Sequence, residues 1–166
     1  MPALPLELFR RLTNGVYVVG VADGAQRNAF TAAWITQVSF EPLLIALSVN
    51  PDHASYPLLA TSRAFTVSIL GADQLELARH FGTLSGHDVD KLAGQPWEPT
   101  HAGIPRLSSA VAYLECEVEA EHAAGDHRIV LARVTGGELL RPDALVLGYR
   151  DTGNLDGSSE LYPPHF

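Results

Sequence analysis

Apolar and polar positions along this chain alternate mostly with the short period of a strand, and only three segments carry the longer period of a helix. Residues 16–21 are an apolar, β-branched run that predicts a buried strand, and Asp23 with Gly24 marks the turn after it. Segments 31–38 and 43–49 predict the next two strands, separated by Glu41 and Pro42, and 64–70 predicts another that Gly71 closes. Two or three more follow, at 110–120, 128–135 and 144–149. Helices are expected at 6–12, ended by Thr13, Asn14 and Gly15, and at 57–62, entered by Pro57. A third is expected at 73–81, where Leu77 and Phe81 stand four apart and Asp73 is placed as a cap. Residues 82–105 read as polar and irregular. The tail 151–166, rich in Gly, Ser and Pro, reads as a loop or an arm laid on a neighbour.

No repeat, low-complexity block or linker interrupts this pattern. One domain over 1–166 is therefore expected, its core at about 10–150. Many strands, few helices and no regular βαβ rhythm favour a closed or partly closed antiparallel barrel over a Rossmann sheet.

Composition narrows the partners. A net charge of −8 with scattered basic residues argues against nucleic acid or an anionic membrane as the main partner, though not against a small anionic ligand. No apolar run reaches transmembrane length, and Met1 to Glu7 lacks the features of a leader. The single cysteine, Cys116, has no partner for an internal disulfide, so cytoplasmic residence is the expectation. Cys116 shares its alternation phase with Ala112, Leu114 and Val118, which predicts a buried, unreactive thiol.

The richest stretch for chemistry is 28–40, followed directly by 41–50. Small residues there allow close backbone approach to a flat ligand, Asn28 and Thr31 supply hydrogen bonds, and Trp34 supplies a stacking face. A ring edged with carbonyls and nitrogens would suit it; so would plain tight strand packing. Lys91 is the only lysine in the chain, after a glycine-containing loop that starts at Ser85. It could meet an anion, pair with Asp88 or face water. Gly125 and Asp126 form a turn that delivers His127 to the mouth of a strand, either to meet an anion or exchange a proton, or simply exposed. The seven histidines show no metal-ligand spacing, and nucleophile-elbow, phosphate-loop and Rossmann glycine patterns are all absent.

Four stretches, 15–20, 28–40, 85–91 and 125–127, together resemble the flavin reductase-like family, most of all its short flavoredoxin-type members, and occur in that family's order. The resemblance implies a mainly β, Greek-key split β-barrel (the FMN-binding split barrel) with a few short helices. It implies a homodimer with FMN, or FAD, near the subunit interface. Carried over by position, Asn28, Thr31, Ala32 and Trp34 would line the flavin ring and ribityl chain. Ser48 and Asn50 would meet ribityl hydroxyls or phosphate, with His53, Ser55 and Tyr56 near the phosphate, and Lys91 would help hold the flavin. His127 would lie by the nicotinamide nucleotide or the flavin edge and is the candidate catalytic residue. Two departures stand out: His87 replaces the segment's usual arginine, and Ala32 with Ala33 is smaller than expected. The implied activity is NAD(P)H-dependent flavin oxidoreduction, with hydride transfer to flavin N5 and a monooxygenase or redox protein as a further partner. An FMN electron carrier fed by a protein donor, or a non-catalytic flavin-binding module, are the alternatives.

Overall fold

A two-residue link decides the architecture. In the computed structural model, which describes residues 3–166 and so leaves Met1 and Pro2 of the segment read for a leader outside it, the chain runs through β1 (Tyr17–Asp23), β2 (Gln26–Ala32), β3 (Ile35–Ser39), β4 (Leu44–Val49) and β5 (Ala64–Ile69). The long β8 (Ala112–Ala124) and β9 (His127–Leu139) come later. The described residues place these in one antiparallel sheet of seven strands, in the order β2-β1-β5-β8-β9-β4-β3. Strands β2 and β3 thus lie at opposite edges, about 29 Å apart if the sheet were flat. Yet Ala33 and Trp34 alone join them, a link that reaches about 11 Å at full stretch. The sheet must curl until its edges meet, and since β2 and β3 are not paired, the barrel stays split there.

The inside of the barrel is filled by alternate residues: Val19 and Val21 of β1, Phe30 of β2, Ile45, Leu47 and Val49 of β4, and Phe65, Val67, Cys116 and Val130 across the sheet. Burial pushes the Cys116 thiol up to about 12, and the neighbouring Glu115 adds to the shift. Such a thiol is inert at neutral pH. The helix α2 (Tyr56–Ser62) sends fully buried Leu59 into this core and packs against β1.

Outside the barrel, β1 is covered too. Val16, Val18 and Ala29 join Ala78 and Phe81 of α3 (Leu75–Thr83), with Leu92 and Leu107, in a second core. Burial on both faces explains why β1 reads as a continuous apolar run. A small hairpin of β6 (Trp97–Pro99) and β7 (Pro105–Leu107) lies over the same side, where the Thr66 hydroxyl donates to the Pro105 carbonyl at 2.6 Å.

Several expectations change. The predicted strand at 31–38 is two strands broken at the link, because the chain changes sheet edge there. Asp73 does not cap α3; its carboxylate takes Arg141 Nη2 at 2.9 and 3.1 Å, and Gln74 precedes the helix, accepting from the Gly71 amide. Segment 144–149 forms only isolated bridges, Val146 to Gly71 and Gly148 to Gly15, because it meets the sheet at strand ends. Residues 82–105 are not wholly irregular, since they hold β6 and the start of β7. The tail forms two short 3₁₀ turns and folds onto its own chain: Tyr149 donates its amide to Asn14, and Tyr162 packs 5.8 Å from Phe9 beside the first helix, α1 (Pro5–Phe9). No described helix is long and apolar enough to cross a membrane.

Candidate functional site

Trp34 stands in the barrel's split. Its carbonyl accepts the Ser48 amide at 3.0 Å, which ties the link to β4. Because Ile45, Leu47 and Val49 point inward, Ala46 and Ser48 point out. With Thr36 of β3 and Ile129 of β9 they floor an open groove of about 740 Å³, and the Trp34 indole stands at it. Leu6 and Phe9 of α1 form one wall; Tyr149, Arg150 and Asn154 of the tail form the other.

His127 reaches the same place from the far end of the sequence. Gly125 has φ +64° and begins the two-residue turn between Ala124 and His127, a conformation that strongly favours glycine. The His127 ring lies 5.0 Å from the Trp34 ring, tilted by 49°. Its Nδ1 donates to Asp126 Oδ1 at 2.7 Å. A carboxylate only accepts, so this bond fixes the proton on Nδ1 and leaves Nε2 for another partner.

A second group of predicted residues gathers around α2 and β2. Asn28 is buried, and its Nδ2 donates to the oxygen of fully buried Ser55 at 2.8 Å. The Ser55 amide donates to His53 Nδ1 at 3.2 Å, so neutral His53 carries its proton on Nε2. The His53 ring packs 4.7 Å from Phe30. Burial, then the charges of Lys91 and His87, push His53 down to about 4, so it is neutral at pH 7.

Lys91 neither faces water nor pairs with Asp88. It is 1% exposed, and its ammonium donates to the Phe81 carbonyl at 3.0 Å, near the end of α3. His80 Nε2 donates to the Lys91 carbonyl at 2.7 Å, fixing the same junction. Burial lowers Lys91 to about 8, which still leaves it mainly protonated at pH 7. Among the described residues no carboxylate forms an ion pair with it. A buried cation without a counter-charge is costly, and a bound anion nearby would offset part of that cost. The loop at Gly86 lies so close to Asn28 that a Cβ there would collide with the Asn28 amide.

The other predicted residues are engaged elsewhere. Thr31 lies on the opposite face of β2 from Asn28 and Phe30, and its hydroxyl donates to the Ala78 carbonyl of α3 at 2.8 Å. Ala32 and Thr31 border a crevice of only about 60 Å³ against the tail. Asn50 caps the turn after β4: its Oδ1 accepts the Asp52 amide and its carbonyl accepts the His53 amide. The Tyr56 hydroxyl donates to Glu121 Oε2 at 3.1 Å, beside Arg128. Sequence reasoning passed over Phe30, which backs His53, and Tyr149, which walls the groove. Alternation along β2 could have found the first; nothing local marks the second.

The sequence pattern described as Flavin reductase like domain matches residues 9–155. Diflavin flavoprotein A 1 of Synechocystis sp. is 32% identical over 146 residues, covering 87% of this chain and 26% of that protein. The chain spans only about a quarter of the length of the curated relatives it matches. Among solved structures, the NADH:FAD oxidoreductase SgcE6 of Streptomyces globisporus C-1027 is similar with a TM-score of 0.78 and 31% identity, over 84% of this chain and 82% of that one. An FMN-binding protein of Thermus thermophilus, solved with bound 1-cyclohex-2-enone, has a TM-score of 0.77 and 30% identity, over 86% and 79%. With a family pattern running from α1 to the tail and a sheet that curls into the split barrel, this chain belongs to the flavin reductase-like family.

Proposed function

We propose that this domain is a flavin oxidoreductase that draws electrons from NADH or NADPH. The observation that carries the reading is the meeting of Trp34 and His127, distant in sequence, over the outward Ser48 floor. The residues suit a flavin. Trp34 offers a flat face at an open groove, while Asn28, His53, Ser55 and Lys91 offer donors and a buried positive charge suited to a phosphate tail. A flavin held by these residues would supply the redox chemistry, as an acceptor of hydride from the nicotinamide.

The chain's own residues bind and orient. Asp126 locks the His127 tautomer, so Nε2 is free to position the nicotinamide or hold a proton at the groove mouth. Neutral His53 donates through Nε2, and Lys91 adds positive charge to the same end. In this reading the Thr31 hydroxyl, which donates to the Ala78 carbonyl, anchors α3. Exposed Phe40, at 87%, and Leu161, at 83%, together with the open groove favour a homodimer in which a second copy shields apolar surface. A monooxygenase or redox protein is the proposed consumer of the electrons.

An electron-carrier role, with a protein as donor, draws support from relatives named for two flavins in which this domain is one part. Absorbance of the purified protein with FMN and with FAD, followed by anaerobic NADH and NADPH, separates the readings. Rapid bleaching by either nucleotide is the expected result and names the donor. Bound flavin that neither nucleotide bleaches favours the carrier, and failure to bind either flavin refutes both.

A further inference from the structure

A second cleft, also of about 740 Å³, borders Asn28. It lies between the β1–β2 turn, α2 and the 84–97 segment, and its size falls in the range of small-molecule sites, about 300–1,000 Å³. Its lining differs from that of the Trp34 groove. Arg27 and His87 bring two cationic or titratable groups, and among the described residues neither forms an ion pair. The Arg27 guanidinium lies over the Trp97 ring, 5.5 Å from its centroid, making a broad flat platform. The Asp90 carboxylate borders the cleft; its Oδ1 accepts the Leu92 amide, and Oδ2 has acceptor capacity left.

Cations for a phosphate bridge, a carboxylate for ribose hydroxyls and a flat cationic platform for a purine make the donor set of a nucleotide site. The cleft shares Asn28 and the Gly86 loop with the proposed phosphate end of the flavin, so it adjoins that end. FMN ends at its phosphate and has nothing to place there. We propose that this cleft receives the adenylate half of FAD, and that the domain therefore selects FAD over FMN. The inference rests on the flavin reading above and adds the chemistry beyond its phosphate. Arg27, His87 and Trp97 would recognise the adenylate; Asn28 would mark the junction.

The test is equilibrium titration of the full chain with FMN, FAD and AMP, followed by flavin fluorescence, for the wild type, Arg27→Gln and Trp97→Leu. Wild type is expected to bind FAD roughly tenfold or more tightly than FMN, as one or two charge-assisted contacts would give. Both substitutions should bring FAD close to FMN while FMN affinity stays within about twofold, and AMP should compete with FAD but not with FMN. Arg27 is exposed, so its variant tests the cleft even if Trp97→Leu fails to fold. Equal FAD and FMN affinities, unchanged in Arg27→Gln, would overturn this inference and leave the flavin reading standing. Arg27→Gln raising only the KM for NADH or NADPH would assign the cleft to the nicotinamide nucleotide's adenylate and overturn the FAD assignment. Failure of wild type to bind either flavin would refute both readings together.

Discussion

The two outer faces of this barrel share one interior and differ in what covers them. Over β1 and β2 the outer face is closed: Val16, Val18 and Ala29 pack against Ala78 and Phe81, and Phe81 alone is worth roughly 1.5–3 kcal/mol of burial. Over β3, β4 and β9 the outward residues that floor the groove are Thr36, Ala46, Ser48 and Ile129, with α1 and the tail beside them. The closed face carries Phe81 and a row of valines and leucines; of the four outward residues on the open face, Thr36, Ala46 and Ser48 are small or polar and Ile129 alone is large. The uncovered face is the one with room for the proposed flavin ring. The polar cluster of Asn28, His53, Ser55 and Lys91 lies between the two regimes, since Lys91 is held by α3 on the closed side yet acts electrically on His53.

That intermediate position gives the largest expected effect. Lys91→Met should weaken flavin binding roughly 30- to 100-fold through loss of a charge-assisted contact. Its thermal midpoint should hold or rise, because a buried cation gives way to an apolar chain of similar length. Superimposable flavin titrations for the two proteins would confine binding to the open face.

The acid limb of stability tests the same cluster. The folded-state pKa of His53 lies near 4, below its ordinary 6.5, so in that window the unfolded chain holds a proton that the native chain refuses. Stability is full above pH 6.5 and is lost as pH falls toward 4, by on the order of 2 kcal/mol from this residue. Urea midpoints at pH 7 and 5 should converge in His53→Phe, which keeps a ring on Phe30. Lys91 follows the same sign in a higher window: its contribution is full above 10.5 and is lost as pH falls toward 8.

On the open face, His127→Ala should slow flavin reduction by NADH or NADPH about tenfold while flavin stays bound. Stopped-flow traces that match the wild type would remove His127 from the reaction. The smallest effect is expected on the closed face. Thr31→Val removes the bond to the Ala78 carbonyl and should cost about 1 kcal/mol in chemical denaturation. Flavin affinity should shift less than twofold, and a larger loss would mean that the Thr31 hydroxyl serves the ligand after all.

Much of this was legible along the chain. Alternation located the inward residues of β4 and the buried Cys116, and the Gly125 turn placed His127 at a strand mouth, because strand period and turn chemistry are local. The break at Ala33 and Trp34 was not legible. A strand that ends because the chain must cross to the other sheet edge looks, in sequence, like one that continues. Asp73 failed as a cap for a related reason: Arg141, remote in sequence, offered its carboxylate a two-oxygen partner.

By itself the sequence determined a β-rich barrel and the family to which its motifs belong, since these follow from periodicity and short patterns. Only the tertiary structure decided which face stays open, that Trp34 meets His127, and that the one lysine is buried on a carbonyl instead of exposed. Those facts depend on strand order and on contacts between remote segments, and sheet closure sets them all at once.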